Sequence, residues 1–186
     1  MYQADNYIQL DAEVLEATFT NKGNNLHSIA QKSSVLLIFL RHFGCPFCRE
    51  ALDDLAKAKG YLNTQGVKLV FIHLAEESYG NRYLKDYGLG QEEHISDPDM
   101  SLYEYFGLQK GGFHELYNLK VWSRIVNVQS EYGVKMGAAL GSVRQMPGMF
   151  FIQNGQITNS YIHKTAADRP NYVSFCQLIA GTASCR

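Results

Sequence analysis

Two cysteines separated by two residues, Cys45-Pro46-Phe47-Cys48, are the part of this chain best suited to chemistry. A pair with this spacing can close into a disulfide across one helical turn and open again. The first thiol of such a pair becomes a nucleophile when it stands at a helix N-terminus. Unpaired N–H groups and the helix dipole there favour thiolate over thiol. The second thiol, one turn on, can then attack a mixed disulfide formed on the first. Pro46 suits the first helical turn, because its missing N–H would have no helical partner anyway. Arg41 and His42, just ahead of the pair, would add positive potential.

The same spacing also makes up half of many zinc sites. A four-ligand site would draw on Cys176 and Cys185, the two remaining thiols, whose nine-residue separation lacks the spacing of a zinc knuckle. An inert pair is the third reading. Redox chemistry fits the local pattern best, with the other two left open.

A strand and a helix must hold the pair. Val35–Leu40 is a continuous apolar run, as expected of a strand buried on both faces. After the cysteines, Ala51, Leu52, Leu55, Ala58 and Leu62 recur at helical spacing, and Gly60 weakens the end of that helix. Val67–Leu74 reads as a second buried strand, Glu76–Tyr87 as a helix, His94-Ile95 as a short strand and Met100–Phe106 as another helix. Residues 108–145 resist assignment beyond a helix near 114–126; they hold Gly111-Gly112 and the one Trp, Trp122. Met149–Gln153 and Gln156–Ile162 flank Asn154-Gly155, a strong hairpin signal. Asp168 and Pro170 suit the start of a last helix that packs Tyr172, Val173, Phe175, Cys176 and Ile179 inward. Near the N-terminus, Val14, Leu15, Ala17 and Phe19 suggest a short strand before a turn at Asn21–Asn25. Strands separated by helices imply a crossover α/β architecture, and the closing hairpin makes the sheet mixed.

Composition bounds the function. The chain has 186 residues, 46% apolar and 19% charged, which suits a single globular domain spanning 1–186. A net charge of −1 gives no electrostatic footprint for nucleic acid. No apolar run approaches the roughly 18 residues of a membrane span. Met1–Asp5 lacks the basic and apolar regions of a secretory signal, so the expected location is the cytoplasm. Thiols are kept reduced there, which favours a working cysteine pair over a structural staple.

The segment Phe39–Glu50 resembles the active-site stretch of the peroxiredoxin-like branch of the alkyl hydroperoxide reductase/thiol-specific antioxidant superfamily. Ser96-Asp97-Pro98-Asp99 with Leu102–Gly107 resembles the segment after the third sheet strand of peroxiredoxins. Met146–Ile152 resembles the X-cis-Pro stretch of thioredoxin folds, and Asn154–Ile157 the hairpin behind it. The likeness covers about residues 14–180 and is loosest over 110–145. It implies a thioredoxin-like fold: a mixed central sheet flanked by helices, with a peroxiredoxin-like N-terminal extension and a mid-chain insertion. It also implies a cis Met146–Pro147 bond beside Cys45 and Cys48, with the Met146 backbone free to pair with an extended substrate strand.

Two departures from that family bear on activity. His42 stands where peroxiredoxins usually place the hydroxyl that binds peroxide. Pro147 stands near where their peroxide-polarising Arg falls, with Arg144 close but displaced and Arg41 a substitute. Cys176 reads as a core residue and Cys185 as a tail thiol. Trp122, Phe113 and Tyr117 read as packing rather than a lid, and His73 and His94 as structural.

The leading expectation is a thiol–disulfide oxidoreductase in which Cys45 attacks and Cys48 resolves. No bound cofactor is implied. The substrate would be a disulfide-containing protein or small thiol, and a thioredoxin or glutathione system would restore the dithiol. The second reading is a peroxidase passing through a sulfenic acid on Cys45. The third is a non-catalytic redox-sensing or interaction module that docks a partner beside Pro147.

Overall fold

The structure is a computed structural model that describes residues 8–112, 119–132 and 142–175. The elements run β1 (Ile8–Gln9), α1 (Ala12–Ala17), α2 (Leu26–Lys32), β2 (Ser34–Phe39), α3 (Pro46–Thr64) and β3 (Val67–His73). They continue as α4 (Glu77–Asp86), β4 (Glu93–Ser96), α5 (Ser101–Tyr105), α6 (Leu119–Tyr132), β5 (Gly148–Gln153) and β6 (Gln156–Ile162). A helical turn follows at 172–175.

One mixed sheet organises them, in the order β1-β6-β5-β2-β3-β4. β3 lies parallel to β2 and to β4, while β5 pairs antiparallel with β2 and β6. The apolar run of β2 is continuous because both of its faces are covered. Val35, Leu37 and Phe39 join Leu26 and Ile29 of α2 and Leu102 and Tyr103 of α5 in one core. Leu36, Ile38 and Leu40 join Leu52, Leu55 and Leu62 of α3 and Leu84 of α4 in the other. The dithiol helix is thus bedded on the central strand. Gly60 does not stop it, because the burial of Leu55 and Leu62 outweighs the ~1 kcal/mol that a helical Gly costs. The hairpin turns at Asn154 and Gly155 with φ of 51° and 74°, the left-handed pair its tight turn requires.

The N-terminal segment differs from its expected strand. Residues 12–17 form α1, because Asp11 caps it by accepting from the Glu13 N–H at 2.9 Å and only Leu15 turns fully inward. β1 was not expected; it adds two residues to the free edge of β6. The helix looked for near 114–126 is α6, and residues 113–118 lie outside those described. Among the described residues, no helix is long and apolar enough to cross a membrane.

Two contacts fix the chain where it leaves β2. The Leu40 N–H donates to the Ile72 carbonyl at 2.8 Å. The hydroxyl of Tyr103, itself fully buried, donates to the Leu40 carbonyl with the Ile72 carbonyl 3.1 Å away. Asp97 positions α5 for this by accepting from the N–H of Ser101 and Leu102 at 3.1 and 2.9 Å. Replacing Tyr103 with Phe therefore removes a buried donor from the backbone that leads to Arg41. Urea unfolding should show a loss of about 1–3 kcal/mol, the usual effect of leaving buried acceptors unpaired.

Candidate active site

Cys45 is the residue that caps α3, with an extended φ of −76° and ψ of 125°, and Pro46 opens the helix. The Cys45 N–H donates back to the His42 carbonyl at 3.0 Å, which makes the approach loop tight. Cys48 lies one turn into the helix, and both cysteines are free thiols. Arg41 reaches both sulfurs. Its backbone N–H donates to Cys48 Sγ at 3.3 Å and its guanidinium Nη1 to Cys45 Sγ at 3.6 Å. The rest of the guanidinium is anchored on the Val143 carbonyl, with Nε at 2.8 Å.

These contacts split the acidity of the two thiols. Cys45 is pulled down to about 6, first by the hydrogen bond from the Cys48 thiol and then by Arg41 and the N–H groups of Cys48 and Phe47, against the opposing effect of burial. Cys48 is pushed well up by the bond it gives to Cys45, by burial and by the negative charge on Cys45. The lowered Cys45 and the raised Cys48 leave the shared proton on Cys48.

Cys45 is 3% exposed. α6 lies across the pair, with Val121, Ile125 and Val128 packed in one cluster with Cys45, Phe47, Cys48, Met146, Ala166 and Ala167. An ion pair holds this cover. Glu50, in the first turns of α3, is 2% exposed and accepts from Arg124 Nη2 at 2.8 and 3.1 Å. Arg169 also meets Glu50 at 3.3 Å while it grips Asp54 at 2.7 and 2.8 Å. Burial raises the Glu50 carboxyl above the usual range despite both guanidiniums.

His42 also differs from expectation. It is 8% exposed, and burial together with the charge of Arg41 lowers it to about 4. It is therefore neutral near neutral pH and adds no positive charge beside the thiols. Arg144 donates to the Gly111 carbonyl at 3.3 Å and does not line the dithiol cavity.

The Met146–Pro147 bond is trans, contrary to the cis bond expected. Pro147 stands one residue before β5, a place where a trans proline removes no ladder hydrogen bond. It does line the cavity that Cys45 and Cys48 share. The Met146 backbone is not a free edge. Its N–H donates to the Gln109 carbonyl at 3.2 Å, and its carbonyl accepts from Gln145 Nε2 at 3.3 Å. The chain's own residues 109–111 fill the place imagined for a substrate strand.

The dithiol cavity runs between α3, the end of β2, the start of β5 and the 163–172 segment, and the volume a water can occupy in it is about 30 Å³. Cys45, Cys48, Arg41 and Pro147 line it; His42, Pro46 and Met146 do not. Glu50, His163 and Arg124 escaped the sequence reading. Glu50 had a signal, a charge among apolar residues at the start of a buried helix, but its partner came from the stretch that could not be assigned. Cys176, Cys185, Phe113 and Tyr117 lie outside the described residues.

The acidity split has a direct readout. Only thiolate alkylates, so the Cys45 rate should fall as pH drops, with a midpoint near 6, while Cys48 stays silent through neutral pH. Arg41→Gln should raise that midpoint by ~1 unit or more, the usual effect of removing a neighbouring opposite charge. Arg124→Ala should leave the midpoint in place and speed Cys45 alkylation several-fold at pH 8, by loosening α6. Mass spectrometry of each labelled cysteine reads both outcomes.

No family model matches the chain. It is 25% identical to the prostamide/prostaglandin F synthase of Danio rerio over 169 residues, 89% of this chain and 83% of that one. Peroxiredoxin Q of Xanthomonas campestris superposes with a TM-score of 0.63 at 14% identity, covering 95% of this chain and 98% of that one. A secreted disulfide oxidoreductase of Mycobacterium tuberculosis superposes with a TM-score of 0.53 at 16% identity, covering 88% and 93%. Both solved relatives are thiol enzymes built on the same layers. The chain has a thioredoxin-like fold of the peroxiredoxin type.

Proposed function

We propose that this protein is a thiol–disulfide oxidoreductase working through a Cys45–Cys48 dithiol/disulfide cycle. The observation that carries this is the opposed acidity of two touching thiols, one about 6 and the other well above the ordinary cysteine range. Cys45 thiolate attacks a substrate disulfide and takes one of its sulfurs. Cys48 attacks that mixed disulfide, the substrate leaves reduced, and the protein is left oxidised. A dithiol reductant of the thioredoxin or glutathione kind restores the pair. Proteins and small molecules bearing a disulfide are the substrate class, and the cytoplasm is the compartment this cycle suits.

One observation favours a second reading. The Arg41 guanidinium lies 3.6 Å from Cys45 Sγ, where it could polarise a peroxide as the thiolate attacks. Cys45 would then become a sulfenic acid, and Cys48 would condense with it to expel water. The zebrafish relative is named for making prostamide and prostaglandin F, so a lipid peroxide is the first substrate to try for this reading.

Trapping and rates separate the possibilities. Cys48→Ser should accumulate mixed disulfides with protein substrates, and Cys45→Ser should not. Stopped-flow rates on reduced protein should favour a protein disulfide over hydrogen peroxide. A Cys45-dependent peroxide rate far above that of a free thiol of equal acidity would put the peroxidase first. Sustained turnover with reductant would exclude a purely sensing module.

A further inference from the structure

We propose that His163 accepts the proton of Cys48 when that thiol resolves the mixed disulfide; this role rests on the oxidoreductase cycle above. Cys48 is 4% exposed. Once Cys45 is bonded to substrate, the hydrogen bond and the charge that hold the Cys48 proton are gone, and burial remains. With Cys48 this deeply buried, its proton needs an acceptor close at hand.

The cavity shared by the two thiols is also lined by Arg41, Glu50, His163, Asp168, Arg169 and Tyr172. The two arginines are fully protonated and cannot accept. Glu50 is occupied by Arg124 and Arg169. Asp168 accepts from the N–H groups of Lys164 and Thr165 at 2.6 and 3.1 Å and from the Thr165 hydroxyl at 2.7 Å. Burial pushes Tyr172 up, so it keeps its own proton. His163 differs from all of these: its Nδ1 is buried and has no hydrogen-bond partner among the described residues. The roughly 30 Å³ that water can occupy in this cavity is enough for one water among Cys48, His163 and their neighbours.

The backbone holds the ring at this place. The His163 N–H donates to the Pro147 carbonyl at 3.3 Å, and the Tyr161 ring meets the imidazole edge-on at 5.2 Å. Burial lowers His163 to about 4 against the raising effect of Asp168, so the ring is neutral at neutral pH; the role requires the tautomer with its proton on Nε2. The same residue borders a second, open groove of about 310 Å³ with Gln109, Lys110, Met146 and Lys164. A proton taken up beside the dithiol thus has a way out through one side chain.

The step balances as follows. Cys48 sulfur bonds to Cys45 sulfur as its S–H bond breaks, and the proton goes to His163 Nδ1. The bond between Cys45 and the substrate sulfur breaks, and the substrate leaves as a thiolate with the electron pair. The substrate gains two electrons and the dithiol loses two. His163 then passes its proton to the departing thiolate or to the groove.

A chromogenic bis-nitrobenzoate disulfide reads the two half-steps separately. Attack by Cys45 releases a first coloured thiolate and resolution by Cys48 a second. His163→Ala should leave the first release unchanged and slow the second ~10²-fold at pH 7, the low end for loss of a general base. The second release should recover as pH is raised and should rise in proportion to added imidazole, which can enter by the open groove. His163→Gln, which keeps the volume, should show the same slow second release. A second release as fast as wild type in both variants would overturn the role, as would a slow one that neither alkali nor imidazole relieves. A wild-type protein that releases only the first thiolate would instead overturn the dithiol cycle, and this role with it.

Discussion

A negative charge on a sulfur that is 3% exposed is the constraint around which this structure is arranged. Water cannot solvate it, so the fold must. The Cys48 thiol, the first N–H groups of α3 and the Arg41 guanidinium do so together. Arg41 can take part because its own backbone is fixed. The strand β2 ends just before it, Leu40 is tied to Ile72 and Tyr103, and the Val143 carbonyl takes the outer side of the guanidinium. One arginine thereby touches both sulfurs, by side chain on one and by backbone on the other.

Burial acts in opposite senses on the two thiols. It opposes the charge on Cys45, where donors outnumber it, and reinforces the proton on Cys48, where the nearest charge is negative. The cover that produces this burial is α6, held by a carboxylate that is itself almost fully enclosed. Two guanidiniums compensate Glu50, and one of them also binds Asp54, so the cover, the dithiol helix and the 163–172 segment share one polar network. Cys45 stays shut off from solvent while this cover is in place.

The layers match those of peroxiredoxin Q and of a disulfide oxidoreductase, but the surroundings of the thiols follow neither expectation drawn from the motifs. Pro147 is trans, the Met146 backbone is already paired, and His42 is a neutral, enclosed ring. The polar equipment of the site lies instead beneath the dithiol, in the cavity shared with Glu50 and His163.

The dithiol at a helix start, the doubly covered strand β2 and the hairpin at Asn154-Gly155 were legible in the sequence alone. Each follows from residues adjacent in the chain: a spacing, an apolar run, a turn that only certain backbones make. The first helix was misread as a strand because an apolar run that short carries both periods, and the Asp11 cap settled it. What the tertiary structure decided are contacts between distant residues. Arg41 meets Val143 across 102 positions and Glu50 meets Arg124 across 74. The burial of Cys45 and of the His163 Nδ1 atom depends on such contacts too. Charge stabilisation in a closed site is a property of neighbours in space, and only the folded chain determines who they are.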